Sequence, residues 1–187
     1  HPWYILFSSG TTGAPKCIVH STGGVLLQHL KELGLHSNLT SKDTLLFHTT
    51  CGWMMWNWMV SGLALGATLV LYDGSPMFPK INRMFQLVSD ENVNLFGTGA
   101  RFLAAIEKRQ LKPNEHLTFS ALKSILSTGS PLLPEQYDFV HDHISPTVQL
   151  SSISGGTDIV SCFALGNPIS PVYRGELQCL GLGMDVQ

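Results

Sequence analysis

Charge is scarce in this sequence: 13% of its 187 residues are Asp, Glu, Lys or Arg, with Lys+Arg 11 against Asp+Glu 13 and a formal net charge of -2. No stretch gathers Lys or Arg into the basic patch that draws nucleic acid or an anionic membrane surface, so neither partner is expected. Cysteine is also sparse. Cys17, Cys51, Cys162 and Cys179 stand far apart, with no CxxC pair and no Cys/His spacing of a zinc site, and they read as free thiols in a reducing compartment, the cytosol. Internal repeats, low-complexity tracts and linkers are missing, so residues 1–187 read as one piece of one domain. The chain lacks a starting Met and a charged leader ahead of an apolar core, and reads as cut at both ends. Asn38-Leu39-Thr40 fits the N-glycosylation pattern, but nothing else looks secreted and the triplet is taken as a chance match. Against these absences stands a hydrophobic fraction of 44%, enough for one sizeable core, which excludes disorder. Small-molecule chemistry is the expectation that remains.

Periodicity supplies the elements. Residues 3–7 form a short apolar and aromatic run, and residues 21–35 place Val25, Leu26, His29, Leu30 and Leu33 at helical spacing. The same grammar predicts strands at 44–47, 67–72, 93–96, 124–127 and 147–150, with helices at 82–91, 100–109 and 134–143. Pro134 suits a first helical turn, and His141 and His143 read as a solvated helix end. Short apolar strands alternating with helices predict an α/β fold with a mostly parallel sheet covered by helices.

Residues 53–72 carry no charge and include Gly62 and Gly66 in a GxxxG arrangement, as a membrane span would. Asn57, Ser61 and Thr68 interrupt the run, positive flanks are missing, and residues 67–72 are β-type. A buried helix followed by a buried strand accounts for all of this, and no stable membrane insertion is expected.

The densest chemistry follows the first strand. Ser8-Ser9-Gly10-Thr11-Thr12-Gly13-Ala14-Pro15-Lys16 packs hydroxyls, glycines and a lysine into nine positions. Glycines let the backbone approach closely, amide N–H groups form an anion nest, and Lys16 adds a point charge, a set suited to a polyphosphate. The spacing differs from GxxxxGK[ST], since Cys17 follows Lys16. Residue types alone leave a phosphate loop and a flexible surface loop both open.

The run from Phe7 to Lys16 resembles the signature loop of adenylate-forming enzymes, with Cys17 in place of the usual Gly. Its continuation, Val19-His20-Ser21-Thr22-Gly23-Gly24, is similar to the acetyl-CoA and acetoacetyl-CoA synthetase branch of the AMP-forming acyl-CoA synthetases. His20 itself reads as a packing or hydrogen-bonded histidine. Gly52-Trp53 resembles the block lining the acyl site, and Thr128-Gly129-Ser130-Pro131 resembles the turn bordering adenine. Gly155-Gly156-Thr157-Asp158 resembles the block that meets the phosphate and Mg²⁺.

The resemblance implies part of the large N-terminal domain of such an enzyme. Its hinge, ribose-binding Asp and small C-terminal domain find no match here, so the piece alone is expected to be inactive. It also implies an ATP-dependent ligase acting on ATP, acetoacetate and coenzyme A with Mg²⁺, with another short- or medium-chain or aryl acyl-CoA synthetase, or a truncated non-catalytic nucleotide-binding module, as the alternatives. Ser8, Ser9, Gly10, Thr11, Thr12, Gly13 and Lys16 would then hold phosphates, and Gly129, Ser130 and Pro131 would border adenine. Trp53, Met54, Met55, Thr128 and Gly155 would line the acyl pocket. Lys16, Thr157 and Asp158 would serve catalysis, with Asp158 on Mg²⁺. Where acetyl-CoA synthetase closes its pocket with Trp, Gly155 implies a deeper one. Duller readings stay open beside these: Gly155 and Gly156 as a simple turn, Asp158 as a helix cap, and Trp53, Met54 and Met55 as core.

Overall fold

A computed structural model describes residues 1–8 and 13–187. Its centre is a five-stranded, all-parallel sheet in the order β4-β3-β5-β6-β7. These strands are β3 (Thr44–Phe47), β4 (Thr68–Val70), β5 (Leu95–Gly99), β6 (Ser124–Thr128) and β7 (Gln149–Ser152). Each is short, and β3, with both faces covered, is the most continuously apolar of them. Leu46, Phe96, Ile125 and Leu150 point into a core shared with α3 (Arg83–Asp90), α4 (Ala100–Lys108) and α5 (Pro134–His143). Leu45, Phe47, Leu95 and Leu126 point the other way, against α2 (Met54–Val60) and the π-helical turn Lys31–His36 that continues α1 (Thr22–Leu30). The alternation along each strand is the period-2 geometry of the pleat.

The expected parallel sheet and its covering helices are therefore present, with boundaries shifted by a few residues. The apolar stretch 53–72 divides into α2, a 3-10 turn Ser61–Leu65 and β4. Among the described residues no helix is long and apolar enough to cross a membrane.

Two antiparallel pieces flank the sheet. β1 (Pro2–Ser8) pairs with β2 (Lys16–Ser21), a strand that the sequence reading passed over by running the loop straight into a helix. Lys16, Ile18 and His20 alternate with Cys17, Val19 and Ser21, and the outer face stays exposed, so β2 carries no continuous apolar run to betray it. β8 (Ser154–Gly156), β9 (Ser161–Leu165) and β10 (Cys179–Leu180) form a three-stranded sheet in the order β10-β9-β8. His141 departs from the solvated helix end expected of it. Its ring nitrogens lie 2.9 Å from the Tyr137 carbonyl and 3.1 Å from that of Val148, tying α5 to the segment before β7. His143 packs against Phe139, with ring centroids 5.7 Å apart.

Candidate active site

Loops beyond the carboxyl ends of β3, β6 and β7 meet at one cavity of about 170 Å³. Carboxyl ends of parallel strands are where open α/β sheets place ligands. Trp53, Met54 and Met55 come from the loop after β3 and the first turn of α2, Thr128 and Gly129 from the end of β6, and Gly155, Gly156 and Thr157 from β8 and its turn. Every residue expected in the acyl pocket thus lines one space. Met55 is also buried in the core behind it.

Two glycines are required by close approach. Gly129 has φ +84, in the left-handed region, and a Cβ there would lie 3.3 Å from the Trp53 ring, so the bare backbone lets Trp53 lie against the turn. A Cβ on Gly155 would stand 2.3 Å from the Ser161 carbonyl oxygen and 2.7 Å from Cys162 Cα. The packing of β8 on β9 therefore demands glycine at 155, whatever the depth of the pocket.

A second cavity, bordered by Thr128, Gly129, Ser130 and Pro131, shares Thr128, Gly129, Ile153 and Gly155 with the first. The residues expected at adenine and those expected at the acyl group therefore occupy adjoining spaces. Thr128 is held by its hydroxyl, which donates to the Ile153 carbonyl at 3.0 Å.

The loop residues Ser9, Gly10, Thr11 and Thr12 lie outside the described residues. Ser8 ends β1, opposite Lys16 at the start of β2, and Gly13 and Lys16 are exposed. β1 and β2 thus form an antiparallel pair. His20 joins this arm to the third block, its Nε2 donating to the Thr157 carbonyl at 3.0 Å, as a hydrogen-bonded histidine. Asp158 is exposed on the turn, and no cluster of three or more His, Cys, Asp or Glu side chains is present among the described residues. A single carboxylate suits Mg²⁺ arriving with a nucleotide, since Mg²⁺ takes one or two carboxylates and fills its shell with phosphate and water.

The sequence reading missed Glu32. It is 1% exposed, lines the first cavity, and gathers partners from four elements. Trp58 Nε1 donates to it at 2.8 Å, the Ser161 hydroxyl donates to its other oxygen, and Cys162 N–H and the Gln28 amide approach that oxygen at 3.3 Å. Lys31 Nζ lies 3.6 Å away. A lone acid on the buried stripe Val25, His29, Glu32, His36 was the available signal, because an uncompensated charge rarely sits there. Burial, reinforced by the Glu32 charge, pushes the Cys162 thiol pKa well up, so it stays protonated and is no nucleophile.

Comparison with known proteins identifies the family. Residues 1–178 match the family of AMP-binding enzymes. The acetoacetyl-coenzyme A synthetase of Rhizobium meliloti (strain 1021) is 59% identical over 186 residues, covering 100% of this chain and 29% of that protein. The acetoacetyl-CoA synthetase of Mus musculus is 57% identical over 187 residues, covering 100% of this chain and 28% of that protein. The structure of acetoacetyl-CoA synthetase from Streptomyces lividans superposes with a TM-score of 0.94 at 47% identity, over 100% of this chain and 29% of that one. The chain therefore spans less than a third of the length of the relatives it matches. With three sequence blocks converging on one pair of cavities and the family match running through nearly all of it, this chain belongs to the AMP-binding enzymes.

Proposed function

We propose that this chain forms part of the large adenylation domain of an ATP-dependent acid–thiol ligase that converts acetoacetate, ATP and coenzyme A to acetoacetyl-CoA, AMP and pyrophosphate. The observation that carries the reading is the junction of the two cavities at Thr128, Gly129, Ile153 and Gly155. An acyl group in one and an adenine in the other would bring a carboxylate and an α-phosphate together beside Thr157. The cavity of about 170 Å³ supports a short acid.

In this mechanism a carboxylate oxygen bonds to the α-phosphorus, the bond to the β-phosphate bridging oxygen breaks, and pyrophosphate leaves. The thiolate of coenzyme A then attacks the acyl carbon and AMP departs with the carboxylate oxygen. The protein positions the reactants and neutralises charge. Lys16, with Ser8 to Gly13, would hold the β- and γ-phosphates; Gly129, Ser130 and Pro131 would border adenine; Thr157 would orient the α-phosphate; and Asp158 would hold Mg²⁺, which would neutralise phosphate charge.

Acetoacetate labelled with ¹⁸O in its carboxylate tests the reading in the full-length protein. Transfer of one label into the AMP phosphate is expected. Unlabelled AMP, or ADP as the product, would overturn it.

A further inference from the structure

The turn from β8 to β9 carries Thr157 and Asp158 and ends at Val160, whose φ is +48 although its side chain is 2% exposed. A β-branched residue in the left-handed region is an outlier, and such strain persists only where the surroundings over-determine it. Two histidines supply that constraint. His29 is fully buried between the 3-10 turn Ser61–Leu65 and the turn leading into β9, with Nε2 2.7 Å from the Val160 carbonyl and Nδ1 2.8 Å from the Ser61 hydroxyl. Burial lowers its pKa, so the ring is neutral. A carbonyl can only accept, so Nε2 carries the proton, while Nδ1 lies beside the Ser61 hydroxyl. At the other end of the turn, His20 Nε2 donates to the Thr157 carbonyl. His20 lies on β2, the strand that starts at Lys16, and His29 lies on the helix that follows it.

We propose that His20 and His29 are positioning residues for adenylation: their imidazoles hold the carbonyls at the two ends of the 157–160 turn and fix Thr157 and Asp158 in register with the hairpin arm bearing Lys16. The proposal rests on the functional reading above. Each ring acts through the backbone it holds, so the turn and the phosphate arm form one unit.

The test compares H29L, H29Q, H20L and H20Q in the full-length enzyme, because glutamine keeps an N–H donor that leucine lacks. Adenylation is read by pyrophosphate exchange, and thioester formation by adding coenzyme A to chemically prepared acetoacetyl adenylate. H29L is expected to lower the exchange rate constant about 10²-fold, the usual cost of misplacing a catalytic group by an ångström. The KM for acetoacetate and the rate from supplied adenylate should change less than about threefold, the pattern of a lost transition-state interaction. H29Q should recover exchange to within about fivefold of the parent, since a buried N–H···O bond is restored. H20L should show the same selective loss at smaller amplitude. Equal loss of both half-reactions in H29L and H29Q would overturn the proposal in favour of simple packing, and so would unchanged exchange in H29L. No exchange by the unsubstituted enzyme would instead overturn the functional reading, before any variant is compared.

Discussion

Removing the Glu32 carboxylate tests how the walls of the first cavity are held together. In E32A, the Trp58 indole N–H and the Cys162 backbone N–H lose a buried acceptor, and Lys31 Nζ loses the carboxylate 3.6 Å away. Ser161 and Gln28 can still pair with each other, their atoms being 2.6 Å apart. Each orphaned buried donor costs about 1–3 kcal/mol, and breaking a buried pair costs about 3–5 kcal/mol in total, because the remaining groups relax. A local loss of about 4 kcal/mol follows, close to a thousandfold in an opening equilibrium. E32Q keeps an acceptor for Trp58 and should lose about half as much free energy. Hydrogen exchange read by mass spectrometry measures this element by element, without requiring the whole protein to unfold in one step. Peptides covering α2 and β9 should exchange about a thousandfold faster in E32A, with α4 and α5 unchanged on the far face of the sheet. Acceleration below about threefold at α2 and β9 would show that the carboxylate does not join those elements.

Other outcomes follow from the same geometry. K16A should slow adenylation by about 10²-fold or more, the scale on which removing one charge-stabilising donor acts; unchanged pyrophosphate exchange would count against the phosphate role. G155A must push β9 away from β8, because its Cβ would meet backbone at 2.3 Å. A cost of about 1–3 kcal/mol is expected from such overpacking, visible as faster amide exchange in β8 and β9, and a variant matching the parent would show that the strands part freely. His29 makes stability depend on pH. Its folded pKa lies below the ordinary histidine value of 6.5, through burial and the nearby His20, opposed by the Val160 carbonyl and Glu32. The neutral ring is the form the fold prefers, so stability is full above pH 6.5 and is lost as pH falls from there toward the folded pKa. Exchange protection of α1 and β9 should drop between pH 7.5 and 5.5, and H29Q should flatten that dependence.

Much of this architecture is legible along the chain. The strands Thr44–Phe47 and Ser124–Thr128 are short apolar runs because parallel strands are buried on both faces, and Pro134 marks the first turn of α5. β2 escaped because an exposed hairpin strand follows a loop of the same polar character, with Ile18 and His20 half-buried and Cys17 and Val19 in the open. The sites divide in the same way. Trp53, Thr128 and Gly155 sit in local blocks that reading in sequence can find. Glu32 and His29 have no local motif, since their partners arrive from Trp58, Ser61, Val160 and Ser161, positions that only the fold brings near. Gly155 shows the limit of inference from residue type. A missing side chain reads as open space, yet the neighbouring strand occupies the place where that side chain would begin.

The central claim is that the joined cavities hold a short 3-oxo acid beside the α-phosphate of ATP. Acid-dependent exchange of labelled pyrophosphate into ATP by the full-length protein, with acetoacetate, acetate, butyrate and an aryl acid compared under Mg-ATP, tests it most directly. The account predicts exchange that depends on added acid and is fastest, relative to KM, with acetoacetate. Preference for another acid would contradict the assignment of the pocket, and absence of exchange with every acid would contradict the adenylation chemistry itself.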